Sequence, residues 1–239
     1  MALFTLADLH LSLSGEKPMD VFGGHWSKFE SRLKEYWEYM VLPQDSVVIP
    51  GDISWAMDLE RAKIDLEFIH QLPGEKILLR GNHDYWWSSK AKMEEFLEEN
   101  GLNSIRFLQN DAKAVQGKII CGSRGWMCED HMTEHDEKIL RREAIRFRLS
   151  LEEAKKLQAL QAEEHGEEPE IICFSHYPIL TPNQMQNPIF DLFAEFGVKR
   201  IYFGHLHNWG SKPIVEEWNG VRFTLVSSDY QNFTPVRID

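Results

Sequence analysis

The chain has 239 residues, of which 43% are hydrophobic and 27% charged, and its formal net charge is -12. A chain of this size can bury one substantial core, and α/β chains of this length are often single domains. The strong acidity argues against nucleic acid as a partner, because nucleic-acid binding surfaces neutralise phosphates with Lys and Arg. No apolar run approaches the roughly 20 residues of a membrane-spanning helix, and no basic segment precedes the first apolar run. We therefore expect a cytoplasmic protein without a membrane partner.

The first half of the chain alternates between strand-like and helical segments. Apolar runs predict strands at 3–7, 47–49 and 76–80. Apolar residues at steps of three and four predict one helix from about 25 to 42, a second across 59–69 and a third before residue 100, whereas 15–24 has the composition of a loop. This alternation is typical of right-handed crossovers in a parallel sheet.

The second half departs from this alternation. Strand-like runs at 104–108 and 118–122 have no helix between them, so we expect them to pair antiparallel or to extend a sheet edge. An unbroken apolar stripe favours one long helix from about Glu134 to Glu164, although Ser150 and Glu153 fit a capping box that would divide it. Further strands are expected at 170–175, 199–203, 214–218 and 221–227, with Asn219-Gly220 as the hairpin turn between the last two.

The chain shows no internal repeat or linker, which favours a single domain over residues 1–239 with a helical insertion at about 127–168. Sequence alone leaves open whether this insertion caps a site or forms a homo-oligomer surface. The three cysteines form no C-x-x-C pair. Cys121 and Cys173 lie in strand-like runs, so we expect buried reduced thiols there, and Cys128 lies outside those runs.

Polar side chains follow five of the predicted strands, at the point where each strand ends. They are Asp8 and His10, then Asp52, then Asn82 and His83, then His176, and finally His205 and His207. Because the carboxyl ends of parallel strands share one edge of a sheet, these side chains can converge. A single His at a strand end is more often an ordinary surface residue. The prediction that these side chains converge therefore rests on the whole ordered set and not on any one of its members.

The composition of this set predicts a metal site. Even four of its five imidazoles, with two carboxylates and one amide oxygen, are too many ligands for a single tetrahedral zinc ion. They suit two ions roughly 3.5 to 4 Å apart that share a bridging carboxylate. A mixture of imidazole and oxygen donors favours Mn, Fe or Zn over Mg or Ca.

The order D-x-H, GD, GNHD, a His after an apolar strand and GHxH, from Asp8 to His207, resembles the calcineurin-like metallophosphoesterase superfamily. The strings GDISWAMD, GNHDYWW and SRGW are also similar to an uncharacterised group of bacterial phosphohydrolases within it. The resemblance implies an α/β fold, a four-layer α-β-β-α sandwich of two mixed sheets flanked by helices. It implies that the first metal is held by Asp8, His10, Asp52 and His207, and the second by Asp52, Asn82, His176 and His205, with Asp52 bridging. His83 would be the catalytic imidazole, near the metals without binding them.

The activity implied by the resemblance is hydrolysis of a small phosphomonoester or phosphodiester. Two transition-metal ions, divalent or trivalent, would supply a metal-bridging hydroxide near neutral pH for in-line attack. A protonated His83 would donate to the leaving oxygen. A nuclease is the alternative, which the acidity disfavours, and a non-catalytic scaffold is a third reading, which the complete ligand set disfavours.

The chain departs from the superfamily pattern at one motif. Protein phosphatases of the superfamily continue GD as GDxxDR, but here those two positions are Trp55 and Ala56. We therefore expect Asp84 or Asp58 to orient His83. We expect Arg124, together with Asn82, to contact substrate, a solvated loop arginine being the alternative for Arg124. Several aromatics beside the motifs either wall a pocket for a flat group or belong to the core, namely Trp55, Tyr85, Trp86, Trp87 and Trp126.

Overall fold

A computed structural model of the protein describes residues 1–15, 17–127, 132–207 and 213–239. The first sheet contains β1 (Leu3–Thr5), β2 (Ser46–Pro50), β3 (Glu75–Leu79) and β4 (Ile105–Phe107), which run parallel. The second sheet contains β5 (Ala112–Val115), β6 (Lys118–Gly122), β7 (Ile171–Ser175), β8 (Arg200–Phe203), β9 (Glu217–Trp218) and β10 (Val221–Leu225). β11 (Val236–Ile238) returns to the first sheet and pairs antiparallel with β1.

Both sheets are mixed, and their antiparallel strands lie only at the edges. The first has the order β11-β1-β2-β3-β4, and the second has the order β5-β6-β7-β8-β10-β9. In the second sheet β6, β7, β8 and β10 run parallel, while β5 and β9 pair antiparallel at the edges. The parallel strands of each sheet therefore end along one common edge.

Helices cover the outer face of each sheet. α1 (Phe29–Met40), α2 (Leu59–Gln71) and α3 (Lys90–Glu99) share an apolar core with the first sheet, and α4 (Glu134–His165) and α5 (Pro188–Phe196) share one with the second. A third core lies between the sheets. In β2, Val47 and Ile49 face the helices while Val48 faces the other sheet, as the two-residue period of a strand requires. The result is the predicted four-layer α/β sandwich.

The long helix is continuous, as the apolar stripe favours. α4 begins with a capping box formed by Thr133 and Asp136, and Ser150 lies buried in its middle. The Ser150 hydroxyl accepts a hydrogen bond from Gly122 N and donates one to Asp111 O, so it ties the helix to the second sheet instead of ending it. The described part of the predicted insertion, residue 127 and residues 132–168, thus contributes a layer of the sandwich, while 128–131 with Cys128 lie outside the described residues.

For residues 104–108 and 118–122, the alternative of antiparallel pairing is wrong, whereas extension of a sheet edge is confirmed for β4, the edge strand of the first sheet. Residues 104–108 and 118–122 do not pair antiparallel, because β4 joins the first sheet beside β3 and β6 lies in the second sheet. The partner of β6 is β5, which apolar periodicity misses because two of its four residues are alanines and one is lysine. A turn with left-handed Gln116 and Gly117 joins the two strands.

Other differences lie at short elements. The segment 15–24 includes a 3-10 turn at Met19–Phe22, and a second turn at Gly24–Trp26 delays α1 to Phe29. α5 and β11 were not predicted. The hairpin turn at Asn219-Gly220 is confirmed, with both residues in the left-handed region and Trp218 paired to Val221. Cys121 and Cys173 are buried free thiols on neighbouring strands, with their Sγ atoms 3.4 Å apart. No helix of the described segments is long and apolar enough to cross a membrane.

Candidate functional site

The predicted metal ligands meet where the two sheets bring their parallel strands to an end. Asp8 and His10 follow β1, Asp52 follows β2, Asn82 follows β3, His176 follows β7, and His205 and His207 follow β8. They form two groups whose ligand atoms lie within 4.8 Å of one another: Asp8, His10 and His207, and Asp52, His176 and His205. Asn82 adjoins the second group, with its Oδ1 2.6 Å from His176 Nε2.

Backbone conformation explains how residues two apart reach one centre. On a regular strand the side chains of Asp8 and His10 would point the same way along one face. Both residues instead adopt left-handed φ angles, 59° and 46°, and so do Asp52 at 52° and His205 at 71°. Such conformations cost of order 1 to 3 kcal/mol each, and they are concentrated at functional sites. The backbone at these strand ends therefore adopts a conformation that is locally unfavourable but orients the four side chains towards one centre.

Two glycines of the motifs are required by close approach of the backbone to the ligands. A Cβ on Gly81 would collide with Asp52 Oδ1, and a Cβ on Gly204 would collide with Asp8 Oδ2. Neither position tolerates a side chain without moving a carboxylate of the site. The glycines in GNHD and GHxH thus follow from packing against the ligands.

Asp52 lies between the two groups. Its Oδ2 is 3.6 Å from His10 Nε2, and its Oδ1 is 3.5 Å from His176 Nε2. Asp52 Oδ2 is buried and has no hydrogen-bond partner among the described residues. His10 Nε2 also faces His207 Nε2 at 3.0 Å. A buried bare carboxylate oxygen beside facing imidazole nitrogens is unfavourable unless a cation lies among them, so the donor set fits metal ions.

The protonation of two of the imidazoles suits metal binding, whereas His207 must lose a proton to bind a metal ion. Burial lowers the pKa of both His176 and His205 to about 3, so these rings are neutral near pH 7 and offer a lone pair. Burial alone would lower the pKa of His207 as well, but the hydrogen bond to Asp229 and the charges of Asp8, Asp229 and Asp52 together raise it to about 9. Burial raises the pKa of Asp8, and the nearby Asp52 raises it further.

Sequence comparison identifies the family. The sequence model of calcineurin-like phosphoesterases matches residues 1–209. The chain belongs to the calcineurin-like phosphoesterase family. Members of this phosphoesterase family are hydrolases that depend on metal ions, and this chain carries two candidate metal-binding groups. No curated protein matches it by sequence.

Solved structures of similar fold agree with this assignment. A protein of unknown function, AQ665 from Aquifex aeolicus, has a TM-score of 0.55 and 15% identity, over 99% of this chain and 95% of that one. Phosphopantetheinyl hydrolase (PptH) from Mycobacterium tuberculosis has a TM-score of 0.52 and 14% identity, over 99% and 95%. The protein TT1561 of Thermus thermophilus has a TM-score of 0.52 and 13% identity, over 99% and 97%. At these identities the likeness shows a shared fold.

His83 lies beside both ligand groups of this calcineurin-like phosphoesterase. Its Nε2 is 4.0 Å from Asp52 Oδ2, and its ring is one third exposed. Its backbone N–H donates to Asp52 Oδ1 at 2.8 Å. Its Nδ1 is buried and has no hydrogen-bond partner in the part of the chain that is described. Burial lowers the pKa of this ring, while Asp52 opposes that shift.

Neither Asp84 nor Asp58, the two residues expected to orient His83, makes a hydrogen bond or ion pair with it among the described residues. The Asp84 carboxylate is buried and accepts hydrogen bonds from the backbone N–H groups of Gly81, Asp52, Ile53 and Ser54, and from the Trp86 indole. It thereby clamps the GD loop to the GNHD loop. Asp58 caps the N-terminus of α2 by accepting from Arg61 N. The side chain next to His83 is Trp55, whose ring centroid lies 4.2 Å from that of the imidazole.

The cavity over the two groups has a volume of about 320 Å³ and one apolar wall. Its lining residues are His10, Met19, Trp26, Asp52, Trp55, His83, His205 and His207. Of the aromatics beside the motifs, only Trp55 lines this cavity, while Trp86 and Trp87 belong to the core around the first sheet. Trp26 and Met19, in a segment predicted to be helix and loop, were missed because their approach to the site depends on the 3-10 turns.

Asp229 is a further site residue that sequence reasoning missed. Its Oδ1 accepts from His207 Nδ1 at 2.9 Å, which leaves Nε2 facing the ligand group. Carboxylates that hold a ligating imidazole in this way fix its tautomer and raise its basicity. The available signal was its place two residues after the strand-like run 221–227.

Arg124 does not line the cavity over the metal groups. It is not a solvated loop arginine either, because only 17% of its side chain is exposed and its Nη2 lies 4.0 Å from Glu143 Oε1. Its backbone carbonyl accepts from the N–H groups of His176 and Tyr177. Arg124 thus supports the β7 end of the site by its backbone, and its side chain faces an adjacent cavity.

Proposed function

We propose that this chain hydrolyses a small phosphomonoester or phosphodiester at a centre that holds two Mn, Fe or Zn ions. The observation that carries the proposal is the position of Asp52, whose two carboxylate oxygens face different ligand groups. Asp8, His10 and His207 with Asp52 would hold one ion, and Asn82, His176 and His205 with Asp52 would hold the other. When bound, two such ions polarise phosphoryl oxygens and lower the pKa of water.

The chain's own residues supply the remaining parts. When protonated, His83, which is one third exposed beside Asp52, would donate a proton from Nε2 to the leaving oxygen. Asp229 keeps a proton on His207 Nδ1, so that Nε2 stays available to the ion. Trp26, Trp55 and Met19 exclude water from one side of the cavity. A cytoplasmic location and self-association through the segment that contains α4 stay predictions.

The test combines metal analysis with a substrate panel. Purified protein should contain Mn, Fe or Zn by elemental analysis and should hydrolyse p-nitrophenyl phosphate or bis-p-nitrophenyl phosphate, the ratio separating monoesterase from diesterase. Asp52→Asn should lose both metal and activity, because it removes the shared ligand. Cleavage of single-stranded DNA in preference to both small esters would favour a nuclease. Protein that takes up no transition metal would overturn the proposal and favour a scaffold.

A further inference from the structure

A second, smaller cavity lies beside the metal centre and is lined by three arginines. Its volume is about 80 Å³, well above the roughly 10 to 15 Å³ that one water needs. Arg80 follows β3, Arg124 follows β6, and Arg146 projects from α4. Polar side chains complete the wall, among them Ser88, Gln109, Asn110 and Ser123. The cavity thus combines guanidinium donors from three separate elements with neutral hydrogen-bonding groups.

The positive charge of this cavity is only partly balanced. Glu143, fully buried, accepts from Arg146 Nη1 at 2.5 Å and from the Ser123 hydroxyl at 2.9 Å, and lies 4.0 Å from Arg124 Nη2. One carboxylate therefore serves two arginines. Asp84 is the other carboxylate that acts on Arg80, and both of its oxygens already accept hydrogen bonds from N–H groups. The cavity thus has an excess of positive charge, whereas the chain as a whole has a net charge of -12.

Two guanidinium groups retain unused donors. The Nε of Arg124 is buried and has no hydrogen-bond partner within the described segments. Among the same residues, Arg80 makes no side-chain hydrogen bond or ion pair, and it is exposed, so its donors are open to a ligand. A buried N–H without an acceptor, such as the Arg124 Nε, is costly in the free protein, and guanidinium forks match the oxygens of phosphate and carboxylate.

The arginine-lined cavity and the cavity over the metal groups have no lining residue in common, but the backbone links them at two points. Arg80 precedes Gly81 and Asn82, so its Cα lies at most about 7 Å from that of the proposed ligand Asn82. The Arg124 carbonyl accepts from His176 N. Arg80 and Arg124 are therefore each tied through the backbone to a proposed metal ligand.

We propose that this cavity binds a second anionic group, phosphoryl or carboxylate, of the substrate whose phosphoester is hydrolysed at the metal centre. The inference rests on the proposed function and narrows it to phosphoesters that carry a further negative charge a few bonds from the scissile phosphate. Arg80 and Arg124 contact this group with their free N–H donors, and Arg146 adds charge while paired with Glu143. The arginines bind and select the substrate and take no part in the bond-breaking step.

The test measures binding, so that it does not depend on turnover. Calorimetry on the full-length, metal-loaded protein compares propylphosphonate with propane-1,3-bisphosphonate and hexane-1,6-bisphosphonate. At least one bisphosphonate should bind on the order of tenfold more tightly than the monophosphonate. Arg80→Gln should remove most of this preference. Arg141→Gln is the matched control, because Arg141 pairs with Glu137 on the exposed side of α4, and it should keep the preference.

Several outcomes would overturn the proposal. Equal affinity for mono- and bisphosphonates in the native protein would do so, and so would a preference that survives Arg80→Gln. If inorganic phosphate binds in an Arg80-dependent manner while neither bisphosphonate gains affinity, the cavity takes a separate anion rather than part of the substrate. Failure of the proposed function would be detected by a different measurement: the metal-loaded protein would hydrolyse neither p-nitrophenyl phosphate nor bis-p-nitrophenyl phosphate.

Discussion

At the position where protein phosphatases of the family carry an aspartate, Trp55 presents an aromatic face to the site. Its ring stacks on His10 at a centroid distance of 5.0 Å and lies 4.2 Å from His83. The Lys17 ammonium lies 4.4 Å above the same ring. Because His83 Nδ1 has no hydrogen-bond partner among the described residues, van der Waals contact with Trp55 is what restricts the imidazole. In this arrangement the His83 ring is oriented by packing against Trp55 and not by a hydrogen bond to an aspartate.

Replacing His83 tests whether it acts as an acid or as a ligand. His83→Ala should lower kcat/KM for p-nitrophenyl phosphate by about 10² to 10⁴-fold, because a positioned proton donor is lost. Bound metal, measured by elemental analysis, should remain as in the native protein. Metal loss comparable to that of Asp52→Asn would contradict this division of roles.

Replacing Trp55 tests whether packing positions His83. Trp55→Ala should lower kcat on the order of tenfold, because the imidazole gains freedom away from its reactive orientation. Trp55→Phe should retain most of the activity, since it keeps an aromatic face. In a double-mutant cycle, Trp55→Ala should have little further effect once His83 is alanine. Additive losses would mean that Trp55 acts elsewhere, for example through His10.

At the scale of elements, the strand ends are the parts under greatest constraint. The chain leaves β8 through Gly204, and the next N–H, that of His205, donates to both oxygens of Asp8 at 3.1 and 2.9 Å. A strand of one sheet thereby fixes a carboxylate that follows a strand of the other. The turn after β8 sets the geometry of the first ligand group.

Gly204→Ala should disturb this contact. The added Cβ would meet Asp8 Oδ2 and lie 2.6 Å from the Ala7 Cβ, so we expect a loss of about 1 to 3 kcal/mol in the free energy of unfolding and weaker metal retention. Urea denaturation and elemental analysis measure the two effects. Gly24→Ala is the control, because a Cβ there meets no atom within 4 Å. Equal behaviour of the two variants would show that the Gly204 contact is unimportant.

The sequence predicts the long parallel strands and the large helices better than the short edges. β2 and β3 are buried on both faces and appear as apolar runs, and α4 has a stripe long enough to establish its period. β5 and β11 have four and three residues, too few to establish a period. α5 is apolar around much of its surface, although Asn187, Pro188 and Gly197 were available as cap signals.

At the site, spacing predicts which residues converge but not what surrounds them. The order of the motifs was enough to predict that the residues of both groups converge, because this prediction requires only that the strands end at a common edge. The partner of Asp84 could not be predicted in this way, because its acceptor role depends on how two loops meet. Asp229 and the three clustered arginines likewise lie far apart in sequence, and only tertiary packing brings them to the metal edge.

For the molecule as a whole, the two candidate metal-binding groups concentrate buried polar side chains whose free-energy cost bound ions would offset. In the metal-free protein, the raised pKa of His207, about 9, lies above its unfolded value of 6.5. The folded state therefore binds this proton more tightly, and the stability that it contributes is present below pH 6.5 and lost as the pH rises through about 9. A metal ion takes the place of protons in the site, so its own contribution grows over the same range.

Thermal unfolding with and without metal should show this pH dependence. At a metal concentration of 100 times Kd, binding contributes about 2.7 kcal/mol, which corresponds to a rise in Tm of about 5 to 11 °C for a protein of this size. The difference in Tm between the manganese-loaded and the chelator-treated protein should widen between pH 6.5 and 9. Asp52→Asn should show a smaller rise at every pH, because one carboxylate serves both ions. A difference that narrows as the pH rises would contradict the role of His207 as a ligand that must lose its proton.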